Sequence, residues 1–162
     1  MKFINIEYDG TSDEVMRLLS DNDRVNEGVR FDDSREKPLI RIKKRSDVKF
    51  KMTCELVGGP TKDNGFLVGT YFSGKLIENE GRTRLKGVIT TAPIYHAFLL
   101  ALIAVFIFQC IRLGGFSVIP LMIAAFDILM FWKEFKKQGY IERYLKRAAR
   151  RMRKGTAQHG AT

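Results

Sequence analysis

At 162 residues and a formal net charge of +10, the chain has the length of one ordinary domain and a balance that suits phosphate-bearing partners rather than cationic ones. Two cysteines, Cys54 and Cys110, stand apart from each other and from any CxxC or Cys/His cluster, which excludes a zinc ribbon and a disulfide scaffold. Charge is unevenly spread, with 17 Lys+Arg against 15 Asp+Glu over residues 1–92 and 11 against 3 over 93–162.

The first thirty residues lack a continuous apolar run, so no cleavable signal peptide is expected. FINIEY (3–8) alternates and meets Asp9-Gly10, which predicts a short strand and a turn. Thr11-Ser12-Asp13-Glu14 has the form of a capping box, and Val15, Leu18 and Leu19 supply the apolar stripe of the helix it starts. Residues 20–37 are mostly polar and are expected to form an irregular, exposed connection. From Leu39 to Thr90 the period is two, giving strands over 39–44, 47–57, 66–77 and 82–90, with Asn79-Glu80-Gly81 as a hairpin turn. Four such strands imply an antiparallel meander, with Gly69, Gly74 and Gly87 expected to mark bulges or bends. Residues 1–92 are thus expected to form an α+β domain.

IYHAFLLALIAVFIFQCI (94–111) carries no formal charge, and FSVIPLMIAAFDILMFW (116–132) carries one acid. Each would extend about 25 to 27 Å as a helix, close to the ~30 Å hydrocarbon thickness. The expectation is a transmembrane helical hairpin over 93–132. The ten basic residues of 133–154 follow it, so the positive-inside rule puts both termini in the cytoplasm and the tip outside. Within 133–154, Ile141, Tyr144, Leu145, Ala148, Ala149 and Met152 recur at helical spacing, a basic amphipathic helix. Three roles fit it. Arg143, Lys146, Arg147, Arg150, Arg151 and Arg153 would hold anionic lipid headgroups; the charges would only fix membrane topology; or the apolar stripe would pack on the protein's own sheet or a partner subunit. Residues 155–162 are small and polar and are expected to be disordered.

Asp127 is the lone acid of the apolar region. Folding the hairpin about Leu113 and Gly114 sets it level with Leu100, one turn from His96, so an intramembrane polar contact between Asp127 and His96 is expected, with ion handling as a rarer role. Arg41, Lys43, Lys49, Lys51, Lys75, Arg84 and Lys86 occupy alternating strand positions and would share a sheet face; it could meet anionic headgroups, a nucleic acid or an acidic partner, but because acids offset these charges across the domain an ordinary solvated face is the preferred reading. Phe50 and Phe72 read as core, which leaves no aromatic interleaving for nucleic acid. No GxGxxG, GxxxxGK[ST], HExxH or GxSxG occurs, so no enzyme, cofactor or metal is expected.

The run Phe72-Ser73-Gly74-Lys75-Leu76, then Gly81-Arg82-Thr83-Arg84-Leu85-Lys86-Gly87, then Pro93 and an apolar helix, resembles small uncharacterised bacterial membrane proteins. In these, an F-x-G-x-[IL] strand, a G-x-T-x-[IL]-x-G strand and a two-helix hairpin follow one another. The resemblance covers residues 66–135; it implies a bacterial inner-membrane location and no activity or ligand. The functional expectation is a membrane-anchored binding or regulatory module without chemistry, with membrane lipids, a protein partner or a homo-oligomer as its contacts. The alternative is a small oligomeric transport or channel subunit using Asp127.

Overall fold

The computed structural model describes residues 1–29, 37–57, 69–112 and 118–159. Five strands, β1 (Lys2–Asp9), β2 (Lys37–Lys44), β3 (Lys49–Val57), β4 (Thr70–Asn79) and β5 (Arg82–Thr91), form one antiparallel sheet in the order β1-β5-β4-β3-β2. β2 to β5 make the expected meander, and β1 closes it as an edge strand beside β5, with Ile4 opposite Gly87 and Ile6 opposite Leu85. The chain is therefore α+β. The β4–β5 hairpin turns on Glu80 (φ 49°) and Gly81 (φ 76°), the two consecutive left-handed residues that a tight turn between twisted strands requires.

Strand alternation puts Ile4, Tyr8, Ile40, Phe50, Met52, Cys54, Phe72, Leu76, Leu85 and Ile89 on one buried face. Gly74 and Gly87 lie directly opposite each other in an unbroken register, so neither is the expected bulge. A Cβ at either would come within 2.4 to 2.5 Å of the Phe72 ring; they are small because Phe72 lies across both.

α1 (Ser12–Ser20) begins at the expected capping box, Thr11 Oγ1 accepting from Glu14 N–H and Glu14 Oε2 from Thr11 N–H. Residues Asn22–Asn26 form a second short helix, α2, capped by Asp21 and anchored by buried Val25. The expected irregular connection is helical there because the Asp21 carboxylate satisfies the Arg24 N–H. Residues 30–36 of that connection, and the loop and first strand residues of 58–68, lie outside the described residues.

α3 spans Pro93–Arg112 and α4 spans Val118–His159. The second apolar run and the basic tail are thus one helix, where separate elements on either side of Trp132 were expected. Ile141, Tyr144, Leu145, Ala148 and Ala149 are buried on the apolar sheet face together with α1 and α2. Of the three roles open to the amphipathic stripe, the structure gives packing on the protein's own sheet. α4 also remains helical through His159, into the segment expected to be disordered, while 160–162 lie outside the described residues.

The transmembrane hairpin requires correction. Among the described residues no helix is long and apolar enough to cross a membrane. On α4 the apolar part passes directly into a sheet-packed segment. This finding overturns the multi-pass inner-membrane placement with cytoplasmic termini.

Two buried phenols fasten α4 to the domain. Tyr8 Oη donates to the Leu145 carbonyl at 3.1 Å, and Tyr144 Oη donates to the Leu19 carbonyl at 2.7 Å. Burial pushes both hydroxyls above the ordinary tyrosine range. The unfolded chain therefore releases these protons first, so stability is full below about pH 10 and falls as pH rises beyond it. Chemical denaturation between neutrality and about pH 11 is expected to show a declining midpoint that flattens in the Tyr8→Phe/Tyr144→Phe double variant. An equal decline in both proteins would contradict the assignment.

Candidate functional site

Where β5 ends at Thr91, α3 leaves the sheet, and α4 passes the same point on its way onto it. The junction is polar and tightly fitted. Thr70 Oγ1 donates to the Glu134 carbonyl at 3.3 Å, Gln138 Nε2 to Thr91 Oγ1 at 3.4 Å, and Ala92 N–H to the Gly69 carbonyl. Lys137 and Glu134, 1% and 4% exposed, form an ion pair of 2.8 Å. The second oxygen of Glu134 has no hydrogen-bond partner among the described residues. A side chain at Gly69 would meet that carboxylate at 2.6 Å, so the glycine makes room for the pair.

Beyond the junction, α3 runs alongside the first part of α4. Leu99, Ile103 and Phe106 face Ile128, Phe131, Trp132 and Phe135 across an almost wholly apolar groove of about 680 Å³. Apolar residues also cover the outside of the pair: Leu100 is 66% exposed, Ile111 76% and Val118 71%, with Ile107, Phe108, Leu121, Met122 and Phe126 also exposed. A helix that is apolar all round is one that another apolar phase covers. At the base of the pair, Lys136 Nζ lies 3.7 Å over the Trp132 ring and the Arg143 guanidinium 4.8 Å over Tyr140, giving an aromatic and basic collar.

The six tail cations are mostly engaged within the protein. Arg147 donates to Asn26 Oδ1 at 3.1 Å; Arg151 pairs with Glu27 at 2.8 Å and also donates to the Val25 and Glu27 carbonyls. Lys146 pairs with Glu142 at 2.7 Å, and Arg153 lies 3.9 Å from Asp9. Lys146 first and Lys2 second hold the Glu142 carboxyl below the usual carboxylate range. Arg150 is exposed beside Glu7 and Arg153 at a shallow polar groove against β1. Lys146, Arg150 and Arg153 thus share that groove, while Arg147 and Arg151 are turned toward α2 and the residues after it and Arg143 lies over Tyr140. His96 is exposed on α3, whereas the Asp127 side chain lies outside the described residues, and with it the expected contact between the two.

Among the described residues no group of three or more His, Cys, Asp or Glu could hold a metal ion. The groove was carried in the sequence by the two apolar runs themselves. Its collar was signalled only by the spacing of Trp132 to Lys136 and of Tyr140 to Arg143.

No family model matches the chain, and no curated protein matches it. Among solved structures, it is similar to the Mll3558 protein from Rhizobium loti, at 13% identity and a TM-score of 0.35, over 56% of this chain and 76% of that one.

Replacing Lys137 by Met would strand the Glu134 carboxylate in the junction. Leaving one buried charge uncompensated costs about 3 to 5 kcal/mol, so Lys137→Met is expected to lower unfolding stability by that order, with Lys137→Met/Glu134→Leu recovering most of it. A single variant as stable as the parent in urea titration would contradict the buried pair.

Proposed function

We propose that the chain is a non-catalytic binding module that attaches to anionic lipid surfaces through the apolar helix pair. The observation that carries this reading is the combination of many apolar side chains exposed among the described residues of the pair with an aromatic and basic collar at its base. Apolar side chains sink into the acyl boundary, tryptophan and tyrosine favour the headgroup level, and lysines there are drawn to anionic lipid. Such attachment needs no helix to cross the bilayer. A second copy of the chain suits the surface less well, because a bundle of two pairs buries the groove and leaves the outward Leu100, Ile107 and Phe108 in water.

The test is flotation of the full-length protein with phosphatidylcholine vesicles, with and without phosphatidylglycerol. The protein is expected to float with both and more completely with the anionic lipid. Lys136→Glu/Arg143→Glu should reduce partitioning into anionic vesicles by an order of magnitude or more, since each nearby cation contributes about 1 kcal/mol. Leu100→Glu/Phe108→Glu should abolish flotation. A protein that stays unbound to vesicles and sediments as a discrete dimer would overturn the lipid reading.

A further inference from the structure

All helices that touch the sheet lie on its apolar face, and among the described residues no element covers the other face. That open face carries lysines in register. Lys49 lies opposite Lys75, and Lys75 opposite Lys86, across β3, β4 and β5; Lys51 lies opposite Lys43 on the β2 side. Neighbouring strands are only about 4.8 Å apart, and like charges directly opposite one another destabilise a sheet. The carboxylates of this face that form ion pairs are engaged with arginines, Glu55 with Arg41 at 3.0 Å, Glu7 with Arg84, and Asp9 with Arg82 and Arg153 at 3.9 Å each. None of the five lysines pairs with a carboxylate among the described residues.

Register also brings two aromatic residues to this face. β1 was not expected to lie beside β5; because it does, Phe3 falls opposite Val88, in the same cross-strand row as Ser73, Lys51 and Lys43. Phe3 is 78% exposed. Tyr71 stands half-buried in the adjacent row with Lys51 Nζ 3.7 Å over its ring. Aromatic side chains therefore do interleave with the charges, which corrects the expectation drawn from Phe50 and Phe72.

We infer that this open face, with Lys43, Lys49, Lys51, Lys75 and Lys86 beside exposed Phe3, binds single-stranded nucleic acid, the lysines taking backbone phosphates and Phe3 stacking on a base. The choice of phosphate over carboxylate follows from the residue types. Carboxylates are gripped best by the arginine fork, and Arg41, Arg82 and Arg84 of this face are already paired, whereas ammonium groups serve phosphate as point charges. An exposed aromatic on an uncovered antiparallel sheet is a stacking platform that tolerates any base. This site is separate from the lipid-binding helix pair and does not depend on it.

The experiment is fluorescence anisotropy of labelled oligothymidylate with the full-length protein in neutral detergent. Binding is expected at low salt, with log K falling against log salt at a slope of about −3, the value for some four phosphate contacts on a single strand. Lys49→Glu/Lys75→Glu/Lys86→Glu should remove binding and the slope together. Phe3→Ala should weaken binding roughly tenfold and leave the slope unchanged, because stacking is not ionic. Lys49→Gln/Lys75→Gln deletes only like charges lying opposite each other, so it should melt no lower than the parent while losing roughly tenfold in affinity. Absence of binding at low salt would overturn the inference. So would polyglutamate binding as tightly as the oligonucleotide with Phe3→Ala without effect, an outcome that assigns the face to an acidic protein.

Discussion

The structure depends on α4 being a single helix with two settings. Its later part, through Ile141, Tyr144, Leu145, Ala148 and Ala149, is a layer of the domain core; its earlier part stands clear of the sheet with α3. The sheet alone has one apolar face and cannot hide it, and α1 and α2 are too short to cover five strands. Burial of the α4 stripe at about 25 cal/mol per Å² supplies what they cannot. Since a helix is stiff, fixing this part also fixes the direction in which the apolar part projects.

The junction between the two regimes is where the chain spends polar interactions. Glu134 and Lys137 are buried together, and the ends of β4 and β5 donate to or accept from the same turn of α4. A buried ion pair is a weak source of net stability, because desolvation offsets most of its attraction. Its value here is positional: it sets which turn of α4 meets Thr70 and Thr91, and so where Trp132 and Lys136 fall relative to the sheet. The lipid-facing and nucleic-acid-facing proposals then concern surfaces held in fixed relation, one beyond the sheet end and one on the sheet's uncovered side.

Local chemistry made much of the fold legible in the sequence. The capping box at Thr11 and Glu14, the period-two strands and the Glu80-Gly81 turn depend on neighbouring residues and came out where the spacing placed them. What escaped depends on partners distant in the chain. Strand glycines look alike whether they bend a strand or admit a ring, and only the opposition of Gly74 to Gly87 under Phe72 separates the two. An amphipathic stripe reads the same whether it meets lipid or a sheet, so Ile141 to Ala149 could not declare its partner. Phe3 looked like an ordinary strand residue until pairing of β1 with β5 set it among the lysines. The apolar runs carried a correct signal of strong apolarity, but hydropathy alone placed a boundary at Trp132 that the continuous helix does not have. Asp127 and His96 were linked by a hairpin construction rather than by any local pattern, and the Asp127 side chain lies outside the described residues.

The most direct test of this account is amide hydrogen exchange of the native full-length protein, read along α4. If the helix is a layer of the core, amides from Ile141 to Ala149 should exchange only with global unfolding, at the same free energy as the interior strand β5. Exchange of that stretch at the rate of a loosely held surface helix, with β5 still protected, would contradict the account, because the sheet would then be stable without the element said to cover it.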